Sequence, residues 1–172
     1  MMPRGSDQVL LPASPAFIAL TLIGALLLNL LPMGRVAGAP DLVALALVFW
    51  NVHQPRRVGL GVAFMLGLLV DVNDGALLGQ HALAYSLLSY FAITIHRRVL
   101  SFGVVLQAVH VLPLFALAHV VSIAVRLMAG DMAPPATLLL APLFEALLWP
   151  LAVGLLLAPQ RRAPDPDENR PL

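Results

Sequence analysis

Apolar runs separated by short, arginine-bearing connections constrain this chain more than any other feature. Phe17–Leu31, Ala76–Ile95 and Leu138–Leu157 approach the ~20 residues that a helix rising ~1.5 Å per residue needs to cross ~30 Å of hydrocarbon. The chain is 60% hydrophobic and only 11% charged, far from the ~25% charged residues of a typical soluble domain. The expected fold class is therefore an all-α integral membrane protein, a six-helix transmembrane bundle with spans at about 15–33, 40–53, 58–72, 76–95, 105–128 and 138–157. These form one transmembrane domain over 15–158, after a cytoplasmic N-terminus at 1–14. A proline-rich tail of mixed charge, 159–172, is expected to be disordered and cytoplasmic.

Charge placement orients the spans. All ten basic residues are arginine, and they cluster in the connections. With the N-terminus inside, eight of them (Arg4, Arg56, Arg57, Arg97, Arg98, Arg161, Arg162 and Arg170) fall on the inner side. Only Arg35 and Arg126 fall outside, where Asp41, Asp71, Asp74 and Asp131 also collect. The positive-inside rule then predicts both termini in the cytoplasm. The first apolar run, with Arg4 before it and Ala37-Gly38-Ala39 after it, also resembles a cleaved secretory signal. Its length, beyond the usual ~7–15 residues of such a core, favours a retained helix.

Two spans are short. Residues 42–53 and 58–70 each reach only ~20 Å at helical rise, with Pro55 between them. They either cross a thinned bilayer, pack inside the bundle away from lipid, or form a re-entrant hairpin. The stretch Leu100–Met128 is longer than a span requires, so its first turns around Ser101–Val105 are expected along the inner surface, with Pro113 able to kink the helix.

The chain contains no cysteine, which removes disulfides, thiolate nucleophiles and sulfur-ligated metals. No H-E-x-x-H, G-x-S-x-G or G-x-x-x-x-G-K-[ST] signature is present, so the familiar metalloprotease, serine-hydrolase and phosphate-loop chemistries lack their residues. No cofactor, metal or nucleic acid is expected. The polar residues that remain are the candidates. Asp71 ends a long apolar run and lies near the outer mouth of the third span, where an ionised carboxylate requires a cap or partner. Asp74 can cap the fourth helix and Gly75 can turn the chain. Two readings stand for this junction: a capped helix start, or a carboxylate pair that binds a cation or substrate with His81. Gly59, Ala63 and Gly67 share one helix face, and Gly75 with Gly79 repeats the spacing, which suggests close helix packing. Glu145 lies about 10 Å below the outer end of the last span. His119 lies at a matching depth on the antiparallel neighbour, so a Glu145–His119 pair is expected, with a protonated Glu145 on a backbone carbonyl as the alternative. Nine residues at ~100° each put His110 opposite His119 on their helix, so the two do not share a site.

Pro40-Asp41, Phe49-Trp50, Pro55, Arg57-Val58-Gly59, Gly67-Leu68-Leu69-Val70-Asp71, Gly75, Leu78-Gly79, Ala82-Leu83, Tyr90 and Leu147-Leu148-Trp149-Pro150 occur in order along the chain. In this arrangement the sequence resembles the rod-shape-determining protein MreD family. The family pattern places serine where Asp74 stands, and its glutamine-rich start of helix five is reduced here to Gln107. The resemblance implies a non-enzymatic subunit of the bacterial inner membrane that helps to organise peptidoglycan synthesis and cell shape. The implied partners are MreC, MreB, RodA, penicillin-binding protein 2 and the lipid bilayer. It also implies a fold like the substrate-binding subunits of vitamin transporters, which makes a small-molecule binding subunit of such a transporter the alternative function. The residues expected to position or contact partners are Asp71, Gly75 and Gly79 at the third junction, and Glu145, Trp149 and Pro150 in the last helix.

Overall fold

A computed structural model describes residues 13–31 and 38–160. The expectations for residues 1–12, for Arg35 and Ala37, and for the tail from Arg161 onward fall outside the described residues.

Among the described residues six α-helices follow one another: α1 (Pro15–Leu30), α2 (Leu42–His53), α3 (Leu60–Asp74), α4 (Gln80–Leu100), α5 (Val104–Met128) and α6 (Ala141–Leu157). A short 3-10 segment, Ala136–Leu140, leads into α6. Helix starts follow local chemistry. Ser14 accepts from the Phe17 amide with Pro15 behind it, a serine cap followed by a proline whose missing N–H costs nothing at that position. Asp41 caps α2 by accepting from the Val43 and Ala44 amides. Gly75 closes α3 in the left-handed region at φ 62°, which glycine adopts without steric penalty.

One expectation is corrected here. The fourth helix does not begin at 76, because Gly75 and Gly79 both take positive φ and hold Ala76–Gly79 as a turn. The helix runs instead to Leu100, with Arg97 and Arg98 in its last turn, where the negative end of the helix dipole favours cations. Ser101–Gly103 forms a short turn before α5. Gly103 is extended (φ −62°, ψ 154°), so the chain turns a corner there and α5 starts directly at Val104, continuing through Pro113 to Met128.

The short α2 is the axis of the bundle. Every residue from Val43 to Val52 is buried, because α2 packs against α1, α4 and α6 and touches α5. Its apolar residues face protein on all sides, which a helix hydrophobic all round requires. Trp50 and Phe49 sit edge to face at 4.9 Å, and Trp149 of α6 reaches Phe49 at 6.3 Å. The other short helix, α3, buries only the face carrying Ala63, Leu66, Gly67, Val70 and Asp71. The outer faces remain apolar: Leu20, Val105, Leu147, Leu151 and Leu155 are each more than 65% exposed, on a scale that a soluble monomer does not leave in water. Among the described residues, Val104–Met128 and Ala136–Gln160 are long and apolar enough to cross a membrane.

Close packing between α3 and α4 rests on Gly67. A Cβ there would lie 2.4 Å from Ala82 Cα and 2.5 Å from Ala82 N, so the backbones touch in the small-residue manner expected of this face. Gly59 differs from the expected stripe, since a Cβ there meets nothing within 4 Å. Gly75 and Gly79 also have open space around them, and serve backbone conformation, not packing. Gly67→Ala is therefore expected to destabilise the protein in detergent by about 1–3 kcal/mol from overpacking against backbone, outweighing up to ~1 kcal/mol of helix propensity. Gly61→Ala, with nothing within 4 Å, should be neutral or stabilising; thermal unfolding of both variants checks the difference.

Candidate functional site

The C-terminal ends of α1, α3 and α5 meet the N-terminal ends of α2, α4 and α6 at one end of the bundle, and the buried carboxylates gather there. Asp41 is the hub. Its Oδ1 accepts from Asn29 Nδ2 of α1 at 2.7 Å and from the Val43 and Ala44 amides of α2 at 2.9 and 3.0 Å. Its Oδ2 accepts from the Tyr85 hydroxyl of α4. Asn29 answers in turn, its Oδ1 accepting from the Leu42 amide at 3.1 Å.

Glu145 extends this cluster. Its Oε1 accepts from the Asp41 amide at 2.9 Å and lies 2.8 Å from Nε2 of His119, which donates when its proton is on that nitrogen. The pairing expected from matching depths is therefore present in the geometry. Glu145 is fully buried, and its Oε2 has no hydrogen-bond partner among the described residues. An acceptor left so costs about 1–3 kcal/mol, which makes the pair at Oε1 more important to the fold. The cluster joins α1, α2, α4, α5 and α6.

A second carboxylate joins α3. Asp71 Oδ2 accepts from the Gly79 amide at 2.9 Å and the Ala82 amide at 3.4 Å. Its Oδ1 accepts from the His81 amide at 2.8 Å and lies 2.8 Å from the His81 ring Nδ1. This corrects the expected roles at the junction: Asp71, not Asp74, caps α4. Asp74 is the last residue of α3 and exposed, bonded only to the Asn73 side chain among the described residues. The two left-handed glycines fold the chain back so that the carboxylate one turn earlier reaches the amides. Asp71 and His81 do converge, but Asp74 does not join them. Gln80 adds a further tie, donating to Ser122 Oγ of α5 at 2.8 Å.

Trp149 is fully buried, donating from Nε1 to Gln107 Oε1 at 3.2 Å, so it anchors α6 to α5 and presents no contact surface. Pro150 lies within α6, partly buried. Burial likewise limits Glu145 to positioning. His110 stacks on Phe102 at 4.3 Å, away from His119. Sequence reasoning missed the hub itself: Asp41, Asn29 and Tyr85. The proline-aspartate step ahead of an apolar run was the available cap signal.

These groups border a polar cavity of about 510 Å³ whose lining includes Asp41, Asp74, His81, Tyr85, His119 and Arg126. At its rim Arg126 Nε donates to Asp131 Oδ2 at 2.7 Å. The Met132 amide and then Arg126 hold the Asp131 carboxyl below its ordinary value. This exposed interaction persists at neutral pH and is lost only as pH falls through that lowered value. Among the described residues no three His, Asp or Glu side chains come together to hold a metal ion.

Asp71→Ala is expected to cost about 2–3 kcal/mol, by removing a cap and stranding buried donors, while Asp74→Ala stays within about 0.5 kcal/mol of the parent. A double-mutant cycle with Glu145→Gln and His119→Ala should give a coupling of about 1–3 kcal/mol in detergent unfolding; additive effects would refute the pairing.

The comparisons with known proteins agree with one another. The family model described as rod shape-determining protein MreD matches residues 11–158. A protein named Rod shape-determining protein MreD from Haemophilus influenzae is 37% identical over 59 residues. That alignment covers 34% of this chain and 36% of the relative, so the chain matches about a third of the length of that curated protein. No solved structure matches the chain. With the family model covering all six helices, the chain belongs to the rod shape-determining protein MreD family.

Proposed function

We propose that this protein is a non-enzymatic, six-span subunit of the bacterial inner membrane, with both termini cytoplasmic, that helps to maintain rod shape by docking MreC. Through that contact it helps to organise peptidoglycan synthesis alongside MreB, RodA and penicillin-binding protein 2. The observation that carries this reading is the locked polar end. Side-chain hydrogen bonds tie all six helices there beside one polar cavity, and the described connections between helices are short. What the chain offers a partner is therefore helix faces and loop ends.

Several features support the membrane part of the reading. The outer faces are apolar, the central helix is shielded, and Arg56 and Arg57 before α3 and Arg97 and Arg98 in the last turn of α4 lie at the end opposite the carboxylates. The exposed residues at the polar end, Asp74 and Gly75, are available for contact, as is the leucine ridge Leu147–Leu151–Leu155 on α6. Asp71, Gly79 and Glu145 act by position. A membrane enzyme built on Glu145 and a histidine needs the two within hydrogen-bond reach, and Glu145 and His119 meet that condition. However, Glu145 is buried with two donors already on Oε1, an arrangement that fixes helices to one another.

The alternative, a small-molecule binding subunit of a vitamin-type transporter, has the cavity in its favour, since Asp74 and His81 line it. A vitamin that raised the melting temperature in a thermal-shift screen would move the assignment to that class.

Because the chain has no native cysteine, single substitutions report topology cleanly. Asp131→Cys should react with a membrane-impermeant maleimide on intact spheroplasts, and Arg98→Cys only after permeabilisation; the reverse pattern would overturn the orientation. Photo-crosslinkers placed at Asp74 and Leu147 are expected to capture MreC. If neither position captures it, and depleted cells stay rod-shaped, docking is abandoned.

A further inference from the structure

The end of the bundle opposite the carboxylates contains a second recess. α1 and α3 make few contacts with one another there, because α1 packs chiefly on α2 and α3 chiefly on α4. Between them lies a groove of about 610 Å³ walled by Ile18, Ala19 and Leu22 of α1 and by Val62 and Leu66 of α3, with Arg57 among its lining residues. From Pro15 to Ile23 the α1 wall runs ~12 Å along the helix axis.

The groove is chemically divided. Among the described residues its walls are carbon, apart from the one guanidinium, and no acidic side chain lines it. Water needs two to four polar partners, which these walls do not offer, and an empty slot forfeits dispersion contacts on every side. Arg57 is exposed. Its Nη1 donates to the Ala13 carbonyl at 2.9 Å, its one hydrogen bond among the described residues, and a guanidinium carries five donors. Arg56 beside it is also exposed. An elongated apolar slot with a cationic mouth matches an acyl chain joined to a phosphate: arginine pairs with phosphate through two parallel hydrogen bonds, and basic recesses between helices on the cytoplasmic side favour anionic headgroups.

We infer that the groove between α1 and α3 binds an anionic phospholipid, its acyl chain against Ile18, Ala19, Leu22, Val62 and Leu66 and its phosphate on Arg57. This inference rests on the membrane reading and is independent of MreC docking. The lipid fills the gap between two helices that barely touch, and so becomes part of the bundle wall.

The test uses the full chain, purified in mild detergent, delipidated by exchange, and offered phosphatidylglycerol or phosphatidylcholine before native mass spectrometry. One phosphatidylglycerol per chain is expected to be retained in preference to phosphatidylcholine. Arg57→Gln should weaken that retention about five- to tenfold, and Arg57→Lys, which keeps the charge but not the paired hydrogen bonds, should weaken it by less. Ala19→Trp, at an exposed position, should fill the slot and abolish retention of both lipids while the thermal unfolding transition stays cooperative. Equal retention of the two lipids, or no change in Arg57→Gln, overturns the headgroup assignment. Unchanged binding in Ala19→Trp overturns the groove as the site. A disulfide-linked dimer, or a partner protein crosslinked through Ala19→Cys, would assign the slot to a helix in place of a lipid. Recovery of the chain without detergent would overturn the membrane reading, and the lipid site with it; loss of MreC capture alone would leave the lipid result standing.

Discussion

A carboxylate withdrawn from water has to be surrounded by donors, and a helix start has to find acceptors for its first amides; the structure satisfies both demands with the same atoms. Asp41 and Asp71 each meet the amides of a starting helix and also accept from side chains. Each carboxylate is thus both cap and rivet. In a medium as apolar as the side chains themselves, burial gives helices little reason to associate, so close packing and hydrogen bonds have to do it. The Gly67–Ala82 approach provides the first between α3 and α4, and the carboxylates provide the second across the whole bundle.

The arrangement also separates what is fixed from what can be met by another molecule. Glu145, Trp149 and Asp71 are buried and each is hydrogen-bonded to a neighbouring helix, and changing them acts on the geometry of their neighbours. Asp74, Gly75 and the α6 leucines are exposed on that geometry. Loss of a buried group and loss of an exposed one should therefore produce different failures, the first of assembly and the second of recognition.

Much of this architecture was legible in the sequence. The apolar runs marked six helices because a helix that faces apolar surroundings must be apolar over its whole length. Equal depth on antiparallel neighbours was enough to pair Glu145 with His119, since depth follows from helical rise alone. The junction at Asp71 and Asp74 was misjudged for a local reason: the carboxylate next to the turn looks like the cap, but two left-handed glycines bend the chain so that the earlier one reaches. The Asp41 hub was illegible for a different reason. Its partners Asn29, Tyr85 and Glu145 come from three other helices, and depth along a helix says nothing about which helices stand side by side. The groove beside Arg57 is a lateral property of the same kind.

The length of α2 carries a last consequence. At 12 residues it rises only ~18 Å, while α4 and α5, at 21 and 25 residues, stand well above it. Since α2 is sheathed by protein, bilayer thickness places no demand on its extent. Its Asp41 end and the preceding Pro40 border the polar cavity, so the hollow exists because the central column stops short of its surroundings. One helical turn more or less in this column would raise or lower the floor while leaving the outer wall of the protein as it is. The depth of the recess is thus encoded in a helix whose residues from Val43 to Val52 touch neither lipid nor solvent.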